Sequence, residues 1–355
     1  LENMARAKNN KDKENRLLAS GNILLTPFPE LKFKSTLTLD RRNAVNTTFL
    51  DPISTAWGRN QYGEASDNRN MNTVLTFDNV LTYNKNFKKH GLEVMAGSSW
   101  TDSDYSNSWI NGSHYRSDQI QTLNAANKIS WDNTGTGASQ WGIMSFFGRV
   151  AYNFDSKYLL TANLRADGSS KFSEDKKWGL FPSVSAAWRM AEEKFIKNLN
   201  LFSDLKLRVG YGMSGNNRIG SYASLNLLNS VKYPNGESNM PGYVPTAIPN
   251  EMLQWESNNT FNVGLDLGFL EQRLTISPEF YVNESTHLLL NSRIPSSSGY
   301  SNMIRNIGKT QNIGVDLTIS SVNIQKRNFT WNTNFNLSHN KNTIKALSGE
   351  QFFLE

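Results

Sequence analysis

Side chains able to do covalent chemistry are few in this chain and poorly grouped. There is no cysteine, which removes thiolate nucleophiles, disulfides and Cys-ligated metals. Four histidines, His90, His114, His287 and His339, are scattered, and no HExxH or comparable metal spacing joins them. Neither a GxSxG elbow nor a Walker or dinucleotide fingerprint occurs. The glycines of "GYGMSGNNRIG" (210–220) lack the strand–turn–helix setting of a phosphate loop and read as a strand running out into a loop. Asp102 and Asp104 offer oxygen ligands of the kind calcium takes, although two carboxylates in "TDSDYSNSW" read more simply as polar loop chemistry. Glycoside hydrolysis needs two facing carboxylates, and nothing singles out such a pair. No catalytic residue, metal or cofactor is therefore expected. What remains is recognition chemistry in the segment 102–143. There Trp109, Tyr115, Trp131 and Trp141 carry flat rings that can stack on sugars or other planar apolar faces, or pack the loops against each other.

Composition narrows the setting in which such rings would work. Hydrophobic residues make up only 38%, yet aromatics reach 11%, more than a disordered polar chain carries. Asn alone is roughly one residue in eight. Polar and aromatic together suit a sheet with lipid on one side and water on the other, and equally a secreted, glycan-handling β protein. The net charge of +6 comes partly from "KNNKDKENR" (8–16), read as a solvated loop. No basic face with nucleic-acid motifs follows it, so nucleic acid is not an expected partner. No run approaches the 18 or so apolar residues of a membrane helix, and the first residues show no apolar signal-peptide core.

The elements that must position these groups alternate with period two. In "LKFKSTLTLD", Leu31, Phe33, Leu37 and Leu39 fall on one face, with Lys32, Lys34, Thr36, Thr38 and Asp40 on the other. The pattern predicts about twelve strands, near 22–27, 31–40, 72–84, 91–101, 144–154, 158–166, 178–190, 205–214, 256–268, 273–288, 310–322 and 329–339. Each approaches the length of a tilted membrane strand, about 9–11 residues. Short links alternate with long ones near 41–71, 102–143, 167–177, 215–255 and 289–309, as tight periplasmic turns alternate with external loops in outer-membrane barrels. Arg149, Arg165, Arg189, Lys206, Arg208, Asp266, Glu279 and Asp316 all take the polar face. A soluble one-sided sheet would do the same, so the loop asymmetry carries the membrane reading. Tyr83, Phe87, Phe154, Tyr158, Phe195 and Phe269 lie at strand ends, where interfacial aromatic girdles form. Pro278, inside a predicted strand, calls for a bulge, and Gly168 in "DGSS" suits positive φ at a loop exit. Trp178 and Phe181 can anchor the return strand at the outer interface.

Several blocks carry a family resemblance. "FFGRVAYNFDSKYLLTANLRADGSSKFSEDKKWGLFPSVSAAWRM" (146–190), "LKLRVGYGMSGNN" (205–217), "WESNNTFNVGLDLGFLEQRLTISPEFYVNESTHLLL" (255–290), "SSSGYSNMIRNIGKTQNIGVDLTI" (296–319) and "FTWNTNFNLSHNKN" (329–342) follow one another in the order of the SusC/RagA group. The chain is similar to those TonB-linked outer-membrane proteins over nearly its whole length.

The resemblance implies an all-β fold, an antiparallel transmembrane β-barrel of about 22 strands. Residues 1–355 would supply about twelve of these, without the N-terminal plug or the closing C-terminal strands. An open sheet in lipid leaves unpaired edges, so a gene fragment is the expectation. It further implies an outer membrane of a Bacteroidetes-like Gram-negative bacterium, a SusD-like lipoprotein lid, and the TonB complex acting through the missing plug. The cargo would be an oligomeric glycan or peptide, imported without covalent catalysis. The ring-bearing residues Trp109, Tyr115, Trp131 and Trp141 would then meet ligand, each other or the lid. Two readings compete: a soluble secreted β protein that binds or cleaves glycans, and a TonB-dependent siderophore or vitamin receptor.

Overall fold

A computed structural model describes residues 8–53, 56–236 and 238–347. The alternating segments form strands throughout. In chain order they begin with β1 (Lys8–Phe28), β2 (Leu31–Leu50), α1 (Ala56–Gln61), β3 (Glu64–Phe87) and β4 (His90–Ser113). Next come β5 (Lys128–Ile129), β6 (Gly135–Phe154), β7 (Tyr158–Ser169), β8 (Trp178–Arg189), α2 (Lys194–Lys197) and β9 (Phe202–Asn216). The hairpin strands β10 (Leu228–Asn235) and β11 (Ser238–Pro245) precede β12 (Glu256–Phe269) and β13 (Leu274–Thr286). A second hairpin, β14 (Leu289–Arg293) and β15 (Asn302–Asn306), precedes β16 (Lys309–Lys326) and β17 (Phe329–Ala346).

Twelve of them form one sheet in the order β1-β2-β3-β4-β6-β7-β8-β9-β12-β13-β16-β17, with β5 added to β4. All twelve predicted strands are present, most extended on the side of the long connections. Sequence neighbours pair with sequence neighbours, so tight turns and long connections leave opposite ends of successive strands. No helix among the described residues is long and apolar enough to span a membrane, which says nothing of crossing by strands.

The chain divides into two compact units. The first holds the described residues up to Ile23 with Ser35–Asp78 and Ser99–Gly142. Here "KNNKDKENR" proves to be strand rather than solvated loop. Arg16 grips Asp40 through two bonds of 2.8 and 2.6 Å, and Arg42 reaches Glu14 at 2.5 Å. Once the backbone ladder is satisfied by β2, a strand in water can be polar on both faces, which erases the alternation that sequence reading relies on.

The second unit holds Leu24–Lys34, Asn79–Ser98 and the described residues from Ile143 onward. Its registers bring Val150, Ala162, Val184, Tyr211, Phe261, Val282 and Ile313 into a single row across seven strands. Most of it is open: Val150, Val184 and Tyr211 are each 45% exposed, Phe261 41% and Ile313 40%, with Val282 half-buried. The opposite face carries the row Arg208, Gly264, Glu279, Asp316 and Ser338. Arg208 donates to Asp266 at 2.9 and 3.1 Å and to Glu279 at 3.4 Å. A Cβ on Gly264 would lie 2.7 Å from the guanidinium, so glycine lets Arg208 reach across β12 to Glu279 while it holds Asp266 on β12 itself. Water is the wrong solvent for that apolar row, and lipid is the right one.

Pro278 causes no bulge. The β12–β13 register is the same on both sides of it, with Gly264 opposite Glu279 and Leu267 opposite Ile276, and only the two intervening pairs drop out. Pro278 stays paired with Leu317 on β16. Gly168 is not among the residues with positive φ. Its role is spatial, since the Trp178 ring lies where a Cβ would come within 2.9 Å.

At the tight-turn end the expected aromatics line up. Phe154 stacks on Tyr158 at 6.2 Å and Tyr158 on Trp188 at 6.3 Å, while Phe202 meets Phe269 at 5.2 Å. His90 opens β4, bonds the Tyr152 hydroxyl at 2.6 Å and stacks on Phe87. In the turn below, Asp155 and Ser156 both take φ near +55°, with values of 53° and 56°, the mirror-image geometry that matches strand twist.

Candidate functional site

Two clusters of buried apolar side chains occur among the described residues, and both sit at the long-loop ends of strands. In the first unit Phe49, Ala65 and Tyr115 pack together, with Leu123, Ala125 and Ala126 against them. Tyr115 meets Phe49 edge-on at 5.1 Å, and its hydroxyl donates to the Thr122 carbonyl at 3.3 Å. Burial raises that phenol above its usual range. This ring welds loops to each other and leaves no face for a ligand.

The other three predicted rings differ. Trp109 lies half-buried on β4, over Gly135, where a Cβ would come within 2.9 Å of its ring. Trp141 is half-buried on β6, with the strand parity of Ser145 and Phe147, which both meet Arg165. Trp131 sits on a single 3₁₀ turn (Trp131–Asn133) and is 76% exposed. Asp104 is bonded by the Gln140 amide, and Asp102 lies beside Gly142.

The second unit contains the larger constellation, which sequence reading missed. Phe172, Phe181, Ile219, Leu253 and Trp255 form a core at the mouth of β8, β9 and β12. Phe181 therefore turns inward to this cluster rather than outward to the interface, whereas Trp178 and Leu180 stay exposed on the apolar face. Polar clamps complete the weld. Trp255 Nε1 donates to the Lys177 carbonyl at 2.7 Å, Ser173 Oγ to the Glu251 carbonyl at 2.5 Å, and Asn250 Nδ2 to the Ile304 carbonyl at 2.7 Å. Asn306 takes the Gln254 N–H at 2.9 Å and returns a bond to the Gln254 carbonyl at 2.7 Å. Three connections, 170–177, 217–255 and 287–308, are thus held as one body.

Beside that weld opens a cavity of about 540 Å³ between the β10–β11 and β14–β15 hairpins and the loop that precedes β12. Leu225, Thr246, Asn250, Asn291, Tyr300 and Asn302 are among its lining, and no charged side chain contributes. Amides, hydroxyls and apolar surface without charge suit a neutral ligand rich in hydroxyls or amides. The hairpin that frames it did have a signal, the Asn-Gly dipeptide at 235–236: Asn235 ends β10 opposite Ser238, and Gly236 leaves the strand at φ +65°.

Comparison with known proteins places these features. The model of the family described as "TonB dependent receptor-like, beta-barrel" matches residues 5–352. TonB-dependent receptor P39 of Formosa agariphila is 37% identical over 328 residues, 92% of this chain and 31% of that protein. TonB-dependent receptor SusC of Bacteroides thetaiotaomicron is 32% identical over 328 residues, 91% of this chain and 32% of that protein. A solved structure of the RagAB peptide transporter superposes with a TM-score of 0.87 at 25% identity, covering 97% of this chain and 38% of the other. The chain thus spans about a third of the length of the curated relatives it matches.

Proposed function

The chain belongs to the TonB dependent receptor-like β-barrel family, and on that premise we propose that it is lumen wall and external loops of an outer-membrane importer of oligomeric nutrients. The observation that carries the reading is the match along nearly the whole chain to SusC and to the RagAB peptide transporter, joined to a sheet whose apolar row is bare. Plug and closing strands would come from the rest of a longer protein, of which 1–355 is a partial barrel.

The mechanism moves cargo without making or breaking its bonds. A neutral glycan or peptide oligomer enters at the loop end of the second unit, where the uncharged cavity beside Asn250 and Tyr300 offers hydrogen bonds; in the first unit, taken by itself, the exposed Trp131 ring offers stacking. A SusD-like lipoprotein closes over that end, and the TonB complex drives passage from the periplasmic side. The welded loops favour capture by a preformed surface, which saves ordering entropy on binding.

The test uses the whole protein in its cell. A strain dependent on the gene should take up labelled glycan or peptide oligomers, and should stop when TonB is removed or the proton-motive force is collapsed. Uptake that persists without TonB contradicts the proposal. A freely soluble protein that cleaves the oligomers in buffer would support the glycan-cleaving alternative instead.

A further inference from the structure

The connection between β8 and β9 does not behave as a plain turn. Residues 190–201 fold into a 3₁₀ turn (Met190–Glu192) and the short helix α2, and they expose apolar side chains in succession. Phe195 is 61% exposed, Leu199 60% and Leu201 57%. Lys194 just before Phe195, and Lys197 between Phe195 and Leu199, are exposed as well. The segment is fastened from above by Glu193, whose carboxylate accepts from the Tyr158 hydroxyl at 2.7 Å, Trp188 Nε1 at 3.3 Å and Lys157 Nζ at 3.3 Å. These bonds, led by that of Tyr158, hold Glu193 below the usual carboxylate range. Tyr158 and Trp188 are the rings of the turn-end girdle, so the segment continues that belt directly.

The charges around it lean one way. Lys88, Lys89, Lys157, Arg189, Lys194 and Lys197 face three acids, Asp155, Glu192 and Glu193. Lys89 pairs with Asp155 at 3.2 Å, Lys157 with Glu193 at 3.3 Å, and Lys197 with Glu192 at 2.6 Å. Arg189 shares Glu192 at 3.3 Å. Glu192 is shared by Arg189 and Lys197, so Lys197 is only partly neutralised, and Lys194 has no acid partner among the described residues; positive charge is left over beside exposed apolar tips.

We propose that residues 190–201 form an interfacial foot that seats Phe195, Leu199 and Leu201 in the leaflet on the short-turn side and recruits anionic phospholipid headgroups through Lys194 and Lys197. Apolar tips alternating with lysines are the chemistry of a segment lying in a headgroup layer. Each lysine near an anionic surface raises affinity about fivefold, and salt weakens the effect. The foot rests on the outer-membrane reading, and the experiment separates the two.

The whole protein, with a fluorophore on Asn198→Cys, is reconstituted in phosphatidylethanolamine vesicles with or without one-fifth phosphatidylglycerol. Bromine is carried on the chains of one lipid or the other. Brominated phosphatidylglycerol should quench several-fold more, mole for mole, than brominated phosphatidylethanolamine, and the difference should shrink in 0.5 M salt. Lys194→Gln with Lys197→Gln should abolish the preference at least fivefold while quenching by either lipid persists. Equal quenching in the unsubstituted protein, or a preference that survives the double substitution, overturns the foot and leaves the membrane reading standing. No quenching by either lipid in correctly folded protein, judged by heat-modifiable gel migration, sinks the membrane reading itself. Phe195→Gln with Leu199→Gln serves as the second variant, expected to weaken quenching by both lipids together.

Discussion

Val184→Arg should cost about 2–4 kcal/mol of folding stability in a bilayer, because it sets a cation on the apolar face near mid-span. The neighbouring change, Ser185→Arg, should fall within about 0.5 kcal/mol. The contrast is informative because neither side chain is packed. Val184 is 45% exposed and lies between Ala162 and Tyr211 in the bare row, so the substitution opens no cavity and buries nothing in protein. In water such an exposed site would tolerate arginine. The whole cost therefore reports the medium against the row. Ser185 stands on the opposite face, in line with Thr161 and Gly210. The urea midpoint of the whole protein refolded into vesicles measures both, with heat-modifiable migration as the check on the native state.

Trp255→Ala should remove about 3–5 kcal/mol, the range for truncating a large buried aromatic ring, and the loss should be local. Trp255 is 8% exposed, touches Phe172 at 5.5 Å and Phe181 at 5.4 Å, and bonds the Lys177 carbonyl. Removing it deletes the centre of the weld and leaves that carbonyl with only the Ser169 N–H at 3.1 Å. The strands below are held by their own ladders, so they should stay intact. Limited proteolysis ought to cut within 217–255 at least tenfold faster, while gel migration of the barrel is unchanged. Trp131→Ala, at a ring 76% exposed, should alter neither. If the proposed capture surface is correct, Trp255→Ala also weakens oligomer uptake through the displaced cavity, and Trp131→Ala does so only if that ring meets cargo.

The membrane-spanning part of the fold was legible because two solvents write on it. Between lipid and water each residue has one acceptable side, so Val150, Tyr152 and Phe154 stand against Arg149 and Asn153, and Phe261 through Leu267 alternate with Asn262, Gly264 and Asp266. Outside the bilayer that constraint lapses. Residues 8–16 continue β1 with polar groups on both faces and read as a loop. Tyr115 and Trp131, alike in sequence setting, end at 5% and 76% exposure because loop packing depends on Phe49, Thr122 and other residues far along the chain. Phe181 was placed outward because aromatics near strand ends favour the interface; its parity put it inward, over Gly179 and Gly215. The cavity's Asn250, Asn291 and Tyr300 come from two connections, and no spacing within either shows that they meet. The Asn-Gly dipeptide at 235–236 is the exception, a local turn signal inside the long connection 215–255.

The account depends most directly on which side of β8 meets acyl chains. The chain's lack of cysteine allows single cysteines at 183, 184, 185 and 186 of the whole protein, with any cysteine elsewhere in it replaced by serine. Each is probed in vesicles by a water-soluble maleimide and by a nitroxide buried on lipid tails. Positions 184 and 186 should resist the maleimide and sense the lipid nitroxide, and positions 183 and 185 should do the reverse. Uniform labelling, or the opposite alternation, would contradict it.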